Sequence, residues 1–213
     1  MVTLLLVRHG EAEGNREDRF IGQSDVPLTR DGLGQAAVLA GRLQDVPLSR
    51  VVSSDLRRCI DTVAPAAASR GLTVDLDPRL REIANGEWGG LLGAEIAAGW
   101  PDLFRRYRAG EDVHRPGGER WADVAARVVE ALQSAAGDHG GTVLVGTHAG
   151  PIAAAARWAA GLPAVGNVFR SGFGPAANAS ITTITLPGPR LVAYNDAGHP
   201  GAAEAGAGTP RVH

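Results

Sequence analysis

The sequence predicts an α/β fold, a three-layer sandwich in which helices flank both faces of a mainly parallel central sheet. Short apolar runs alternate with stretches of helix length, and this alternation favours parallel strands joined by helices. The runs contain almost no polar residues, as is typical of strands buried on both faces. With 213 residues, the chain is long enough to bury one continuous core.

The predicted strands follow from the apolar runs, which are rich in valine and leucine. A closing hairpin is expected near the C-terminus, because Pro187 and Gly188 separate two further apolar runs. The strands are expected at residues 2–7, 51–52, 142–145, 181–186 and 191–194.

Helices are predicted between these strands. Thr29 or Asp31 can cap the first helix, and Gly71 ends the second. Residues 91–118 do not continue the alternation and are predicted to form a small helical insertion. A single domain is expected over residues 1–196, followed by a tail rich in Gly, Ala and Pro at 197–213. The helices are expected at residues 31–43, 55–70, 121–136 and 151–160.

The composition excludes several classes of function. The 21 basic and 23 acidic side chains leave a net charge of −2, so no global field favours nucleic acid or an anionic membrane. Every basic residue in this count is arginine, which removes mechanisms that need a phosphate-binding or Schiff-base lysine. The single cysteine, Cys59, cannot form an intrachain disulfide. No apolar run is long enough to span a bilayer, and a cytoplasmic protein is expected.

Two of the predicted strands are each followed by a histidine. His9 follows the first strand, and His148 follows the strand at 142–145. In an open α/β sheet, polar residues just beyond the carboxyl ends of strands are where ligands bind. The two histidines are therefore candidate site residues.

Two adjacent arginines follow a third strand. Arg57 and Arg58 lie in the first turn of the predicted helix at 55–70, where a positive charge opposes the helix dipole. This local cost suggests that one of the pair binds an anion. Arginines on a helix are otherwise usually just solvated.

In combination, these segments resemble the histidine phosphatase superfamily, the phosphoglycerate-mutase-like proteins. The matching blocks occur in the family's order and cover roughly residues 2 to 195. They are Arg8-His9-Gly10-Glu11 with Asn15, residues 22–29, residues 53–62, Leu80-Arg81-Glu82, residues 86–90, Gly146-Thr147-His148-Ala149-Gly150 and Asn178-Ala179-Ser180-Ile181.

The resemblance implies a role for each matching residue. His9 is the nucleophile, Arg8 and Arg58 bind the phosphoryl oxygens, and His148 is the second histidine of the pocket. Glu82 occupies the position of the general acid, and it must be protonated when substrate binds. A neutral imidazole can attack phosphorus only if one ring nitrogen is free while the other is held as a donor. The sequence does not say which group holds His9.

Two further residues are expected to contact phosphate. Asn15 is a supporting contact, and Ala149 begins the helix whose backbone N–H groups can assist His148. Arg57 occupies a position that the family does not use for phosphate. No cofactor and no metal ligand are expected, because fixed arginine forks stabilise the charge on a phosphoryl group in transfer.

The resemblance favours hydrolysis of a small phosphorylated metabolite. The short insertion leads into Pro116-Gly117-Gly118-Glu119, which looks like the phosphatase branch, and phosphoglycerate mutase activity is the first alternative. A non-catalytic phospho-ligand binding module and a zinc hydrolase using both histidines are the others. The sequence leaves open whether the protein forms a homodimer.

The insertion contains four arginines that either contact a second anion or form a solvated helix face, namely Arg105, Arg106, Arg108 and Arg115. Its aromatics, Trp100, Phe104 and Tyr107, either wall the pocket or form a small core.

Overall fold

A computed structural model describes residues 1–15, 17, 19–137, 140–163 and 172–198. It contains one six-stranded sheet. The strands are β1 (Val2–Arg8), β2 (Leu48–Ser53), β3 (Val74–Leu76), β4 (Gly141–Thr147), β5 (Ile181–Leu186) and β6 (Arg190–Asp196). Their order across the sheet is β3-β2-β4-β1-β5-β6. The first four of these are mutually parallel, and β5 and β6 are antiparallel to their neighbours.

The register of the two central strands determines where the site forms. β1 and β4 pair in parallel with Arg8 opposite Thr147, so both strands end at the same level. The next residue of each chain segment is a histidine, His9 after β1 and His148 after β4. The pairing therefore brings together two histidines that are 139 positions apart in the sequence.

Helices cover both faces of the sheet, as predicted for a three-layer sandwich. Leu5 and Val7 of β1 point to one face, where they join a core cluster with residues of α1 and α2. Leu4 and Leu6 point to the opposite face and pack with residues of α5 and α6. The helices are α1 (Arg30–Arg42), α2 (Arg57–Ala68), α3 (Gly93–Gly99), α4 (Pro101–Arg108), α5 (Trp121–Ala136) and α6 (Ala149–Ala159).

The elements agree closely with those predicted, with one omission. Thr29 caps α1 by accepting a hydrogen bond from Gly32 N–H at 3.1 Å, and α5 spans the predicted 121–136. The edge strand β3 was not predicted, because its three residues include a charged Asp75 and an exposed Leu76. Such a short, half-polar strand lacks the apolar signal that marked the others.

Residues 91–118 contain the short helices α3 and α4. Their apolar side chains form a third core cluster, in which Ile96, Tyr107 and Val113 pack with Phe20 and Trp88. Most of the predicted C-terminal tail, residues 199–213, lies outside the described residues. Of the helices that the structure describes, none has the length and apolar character needed to cross a bilayer.

Candidate active site

His9 is held in one tautomer by the backbone. Its Nδ1 lies 2.7 Å from the Gly10 carbonyl oxygen. Because a carbonyl can only accept, Nδ1 carries the proton and Nε2 is left with its lone pair. The main chain of His9 is also fixed, since its N–H donates to Thr147 O at 3.0 Å and its carbonyl accepts from Asn178 Nδ2 at 2.9 Å. The backbone thus leaves Nε2 as the unprotonated nitrogen of a fixed ring.

His148 lies beside His9 at the start of α6. The two ring centroids are 5.2 Å apart, with the planes inclined by 64°. His148 is fully buried, and its Nε2 lies 3.0 Å from Ser54 Oγ and 3.3 Å from Cys59 Sγ. The Cys59 thiol stays protonated, because burial raises its pKa far above the usual value. Ser54 and Cys59 therefore fix the orientation of the second imidazole.

Two arginines border the histidines, Arg58, which is buried, and Arg8, which is half-buried. Arg58 donates to the carbonyl oxygens of Gly22 and Ser24, both at 2.7 Å, and Arg8 donates to Ala176 O at 2.6 Å. Neither forms an ion pair with a carboxylate in the described part of the chain. A cation that is shielded from water and has no directly paired carboxylate is costly, so this arrangement favours binding of an anion near the two guanidinium groups.

Burial and the charges of the two arginines both favour the neutral form of the histidines. Burial lowers the pKa of His9 well below its usual range, and the charges of Arg58 and Arg8 add to the shift. Burial and the charge of Arg58 lower the pKa of His148 in the same way. Only a neutral imidazole has the lone pair needed for attack, so this electrostatic setting suits a nucleophilic His9.

The lowered histidine pKa values predict a pH-dependent stability. In the unfolded chain both histidines take up protons near pH 6.5, whereas in the folded protein they do not. Below pH 6.5 the unfolded state binds more protons than the folded state. The free energy of unfolding therefore decreases as the pH is lowered, by up to about 1.4 kcal/mol per pH unit for each histidine. Urea unfolding at pH 7, 6 and 5 in phosphate-free buffer measures this slope.

His148→Asn is the matched variant, since asparagine is polar but does not titrate. It should make the decline in stability between pH 7 and pH 5 shallower. An unchanged slope would mean that His148 is already charged in the folded protein.

Glu82 reaches the same site from an irregular segment. Its Oε2 accepts from Gly150 N–H at 3.2 Å, which places the carboxylate at the N-terminus of α6. A Cβ on Gly150 would lie 2.3 Å from Glu82 Oε1 and 2.6 Å from the Trp121 ring, so only glycine fits there. The Glu82 carboxylate is also close enough to Arg8 and Arg58 to offset part of the lowering of their pKa by burial.

Asn15 and Ala149, the other two predicted phosphate contacts, differ in the groups that they could present to a phosphate. Asn15 uses its Oδ1 to accept from Ala12 N–H at 3.0 Å, which closes the turn after β1. Ala149 is the first residue of α6 and is buried, so its contribution would be its backbone N–H rather than its methyl group. Both remain predictions as phosphate contacts.

Thr62 was missed by the sequence analysis, although a signal was present. Its Oγ1 accepts from Gly10 N–H at 2.9 Å and donates to Arg58 O at 2.6 Å, so it links the His9 loop to α2. Thr62 lies four residues after Arg58, one helical turn away on the same face. That spacing could have identified it.

The insertion's arginines divide into exposed and buried. Arg105 pairs with Asp102 and Arg106 pairs with Glu111, at 2.9 and 2.8 Å on the surface, which agrees with a solvated helix face. Arg115 is instead only 1% exposed. Its guanidinium lies 5.2 to 5.7 Å from the ring centroids of Trp88, Tyr107 and Trp121. This enclosed position was not predicted.

The zinc alternative gains no support from the donor groups. Within the described ranges, no three His, Cys, Asp or Glu side chains are grouped as ligands of one metal ion. His9 and His148 are instead bordered by Arg8 and Arg58, whose positive charges disfavour a second cation.

The fold and the site together describe an α/β protein with two histidines beside two arginines at the carboxyl ends of parallel strands. The chain belongs to the histidine phosphatase superfamily (branch 1), whose sequence profile matches residues 4–197. It is 34% identical over 194 residues to the glucosyl-3-phosphoglycerate phosphatase of Mycobacterium tuberculosis, covering 87% of each chain. A solved structure of the mycobacterial enzyme with VO3 superposes with a TM-score of 0.80 at 33% identity, over 92% of this chain and 99% of that one.

Two further relatives have other names. Phosphoserine phosphatase 1 of Hydrogenobacter thermophilus is 37% identical over 158 residues, covering 72% of this chain and 74% of the relative. A bifunctional protein of Mycobacterium tuberculosis is 38% identical over 151 residues, or 70% of this chain. The match covers only 42% of that longer relative.

Proposed function

We propose that the protein hydrolyses a small phosphomonoester through a covalent phosphohistidine on His9. The observation that supports this most directly is the 2.7 Å contact between His9 Nδ1 and Gly10 O, which leaves Nε2 as the attacking nitrogen. The names of two relatives, phosphoserine phosphatase 1 and glucosyl-3-phosphoglycerate phosphatase, agree with hydrolysis of a small phosphorylated metabolite.

The first step transfers the phosphoryl group to the protein. His9 Nε2 forms a bond to phosphorus while the ester P–O bond breaks. Arg8, Arg58 and His148 stabilise the charge on the phosphoryl oxygens. Glu82 gives its proton to the departing alkoxide, which leaves as an alcohol.

The second step returns the protein to its starting state. Glu82, now a carboxylate, takes a proton from water as the water oxygen attacks phosphorus. The P–N bond to His9 breaks, inorganic phosphate leaves, and Glu82 is again protonated. A mutase would instead return the phosphoryl group to a bound sugar acid. The short insertion ahead of Pro116, as in the phosphatase branch that the sequence resembles, favours water as the phosphoryl acceptor.

The proposal includes three further features. Turnover needs no divalent metal, because Arg8 and Arg58 already neutralise the phosphoryl charge. The protein acts in the cytoplasm, where its one buried free thiol, Cys59, is compatible with a reducing environment. Vanadate inhibits, as the VO3 complex of the mycobacterial relative suggests.

Glu82→Gln tests the acid role. It should lower kcat/KM far more for an alkyl phosphate, such as a sugar phosphate, than for p-nitrophenyl phosphate. An alkoxide leaves poorly without a proton, whereas nitrophenolate needs no help, so the difference reports proton transfer. Both substrates are measured on wild type and variant across pH, in buffer containing EDTA. Equal losses would mean that Glu82 positions the phosphoryl group, and Glu87 or Glu11 would then be examined as the acid.

A further inference from the structure

The backbone that carries Glu82 has no regular secondary structure of its own. Residues 81–85 lie between two single turns of 3₁₀-helix, Pro78–Leu80 and Gly86–Trp88. A general acid must stay within hydrogen-bond reach of the departing oxygen, and a displacement of about 1 Å can cost about a hundredfold in rate. Something outside this segment must therefore hold Glu82 in place.

Arg127, on α5, holds the carbonyl groups around Glu82. Its Nη1 donates to Arg79 O and Arg81 O, both at 2.7 Å, and its Nη2 donates to Glu82 O at 3.0 Å. Three carbonyl oxygens, one from the preceding turn and two from the segment, thus converge on one guanidinium. The planar fork of arginine makes this possible, because its donors have fixed directions and a lysine ammonium cannot reproduce them.

Glu119 completes the arrangement from the other side. It accepts from Arg127 Nε at 2.8 Å and from Arg127 Nη2 at 2.9 Å, a bidentate pair. Its Oε2 also accepts from Ala84 N–H at 2.8 Å, and its own N–H donates to Ala84 O at 2.9 Å. The Arg127–Glu119 pair therefore binds the backbone immediately before and after Glu82.

The neighbouring glycine shows how closely the two backbones approach. A Cβ on Gly118 would lie 2.3 Å from Ala84 O and 2.9 Å from the carbonyl carbon of Asn85. The segment that delivers Glu119 can therefore lie directly against the segment that carries Glu82. This contact explains why glycine precedes Glu119 in the sequence.

The positive charge of Arg127 is neutralised by Glu119 near the active site. Its side chain is only 17% exposed and lies close enough to contribute to the lowered pKa of His148. An unpaired guanidinium there would compete with Arg8 and Arg58 for the phosphoryl group. Pairing with Glu119 neutralises it, so it can hold backbone without attracting substrate.

We propose that Arg127 and Glu119 are positioning residues that hold Glu82 where it can protonate the leaving group. This inference rests on the proposed acid role of Glu82. Neither residue touches the substrate. Their loss should impair proton transfer and leave phosphoryl binding and the attack by His9 largely intact.

Arg127→Met and Glu119→Gln test this inference against a matched control, Arg50→Met. Arg50 pairs with Asp75 at 2.7 Å and donates to the carbonyls of Ser134 and Ala135, so it makes the same kinds of contact elsewhere. In both test variants, kcat/KM for an alkyl phosphate should fall at least about tenfold, while that for p-nitrophenyl phosphate should fall less than about threefold. Arg50→Met should change neither, and Arg127→Lys should behave like Arg127→Met.

The outcomes separate this inference from the proposed function. Adding Arg127→Met to Glu82→Gln should cause little further loss on the alkyl phosphate, because the acid is already absent. Equal losses on both substrates in Arg127→Met and Glu119→Gln would mean a purely structural pair and would overturn the inference, even if Glu82→Gln discriminates between the substrates. If Glu82→Gln does not discriminate, the acid role and this inference both fail. Thermal unfolding of each variant shows whether the folded protein was assayed.

Discussion

His9→Ala should reduce phosphomonoester hydrolysis by more than about a hundredfold, the loss typical of deleting a single acid–base group. The loss should be this large because His9 Nε2 is the proposed attacking nitrogen, and uncatalysed attack by water is extremely slow. Steady-state turnover of the best available phosphomonoester, in excess EDTA, measures it.

His114→Ala is the control for His9→Ala, because His114 is exposed and lies in no motif. It should retain wild-type turnover. If His9→Ala kept more than about one hundredth of wild-type activity while folded, the assignment of the nucleophile would be wrong. Acid-labile phosphate trapped on the wild type but not on His9→Ala would support the assignment independently.

Arg58→Met should lower kcat for phosphomonoesters by about a hundredfold to a thousandfold, the usual loss for one fixed donor to a developing charge. Arg58 is 2% exposed and is oriented by the carbonyls of Gly22 and Ser24, so its charge is directed into the site. Both p-nitrophenyl phosphate and an alkyl phosphate should be affected alike, since both have the same phosphoryl group. Initial rates on the two substrates test this.

Arg57→Met is the matched control, one residue away on the same helix. Its side chain is 66% exposed and pairs with Asp61 at 3.3 Å, an ordinary surface contact. Its removal should change activity less than about twofold, because such pairs stabilise a protein by at most about 1 kcal/mol. Comparable losses from Arg57 and Arg58 would show that the effect comes from helix α2 as a whole rather than from phosphate binding.

The parts of the molecule with a strong local signal were predictable from sequence. Apolar runs identified β1 and β4, and the rule that ligands bind beyond strand ends selected His9 and His148. The choice of Arg58 over Arg57 came from the family resemblance, and the structure gives them opposite environments: one is buried with carbonyl partners, the other is exposed with an acidic partner. Local pattern and resemblance together selected residues that the fold brings to one end of the sheet, and their roles stay predictions.

The contacts that support Glu82 were not predictable in the same way. Arg127 is 45 residues from Glu82 and lies on an amphipathic helix, where an arginine ordinarily faces water. Three of its partners are backbone carbonyls, which carry no sequence signal, and its carboxylate partner Glu119 lies on a separate segment. Arg115 was missed for a related reason, since its aromatic neighbours come from three separate segments around Trp88, Tyr107 and Trp121.

Gly86 lies in close contact with the backbone of Pro116–Gly118, so the two ends of the insertion are adjacent in the fold. The chain segments that lead into and out of the insertion contact each other close to Glu82. A change in the length of the insertion therefore need not move Glu82. Residues 91–113 are therefore a natural place for grafting. A replacement segment that supplies an apolar face for Phe20 and Trp88 should leave the rate with p-nitrophenyl phosphate close to that of the parent.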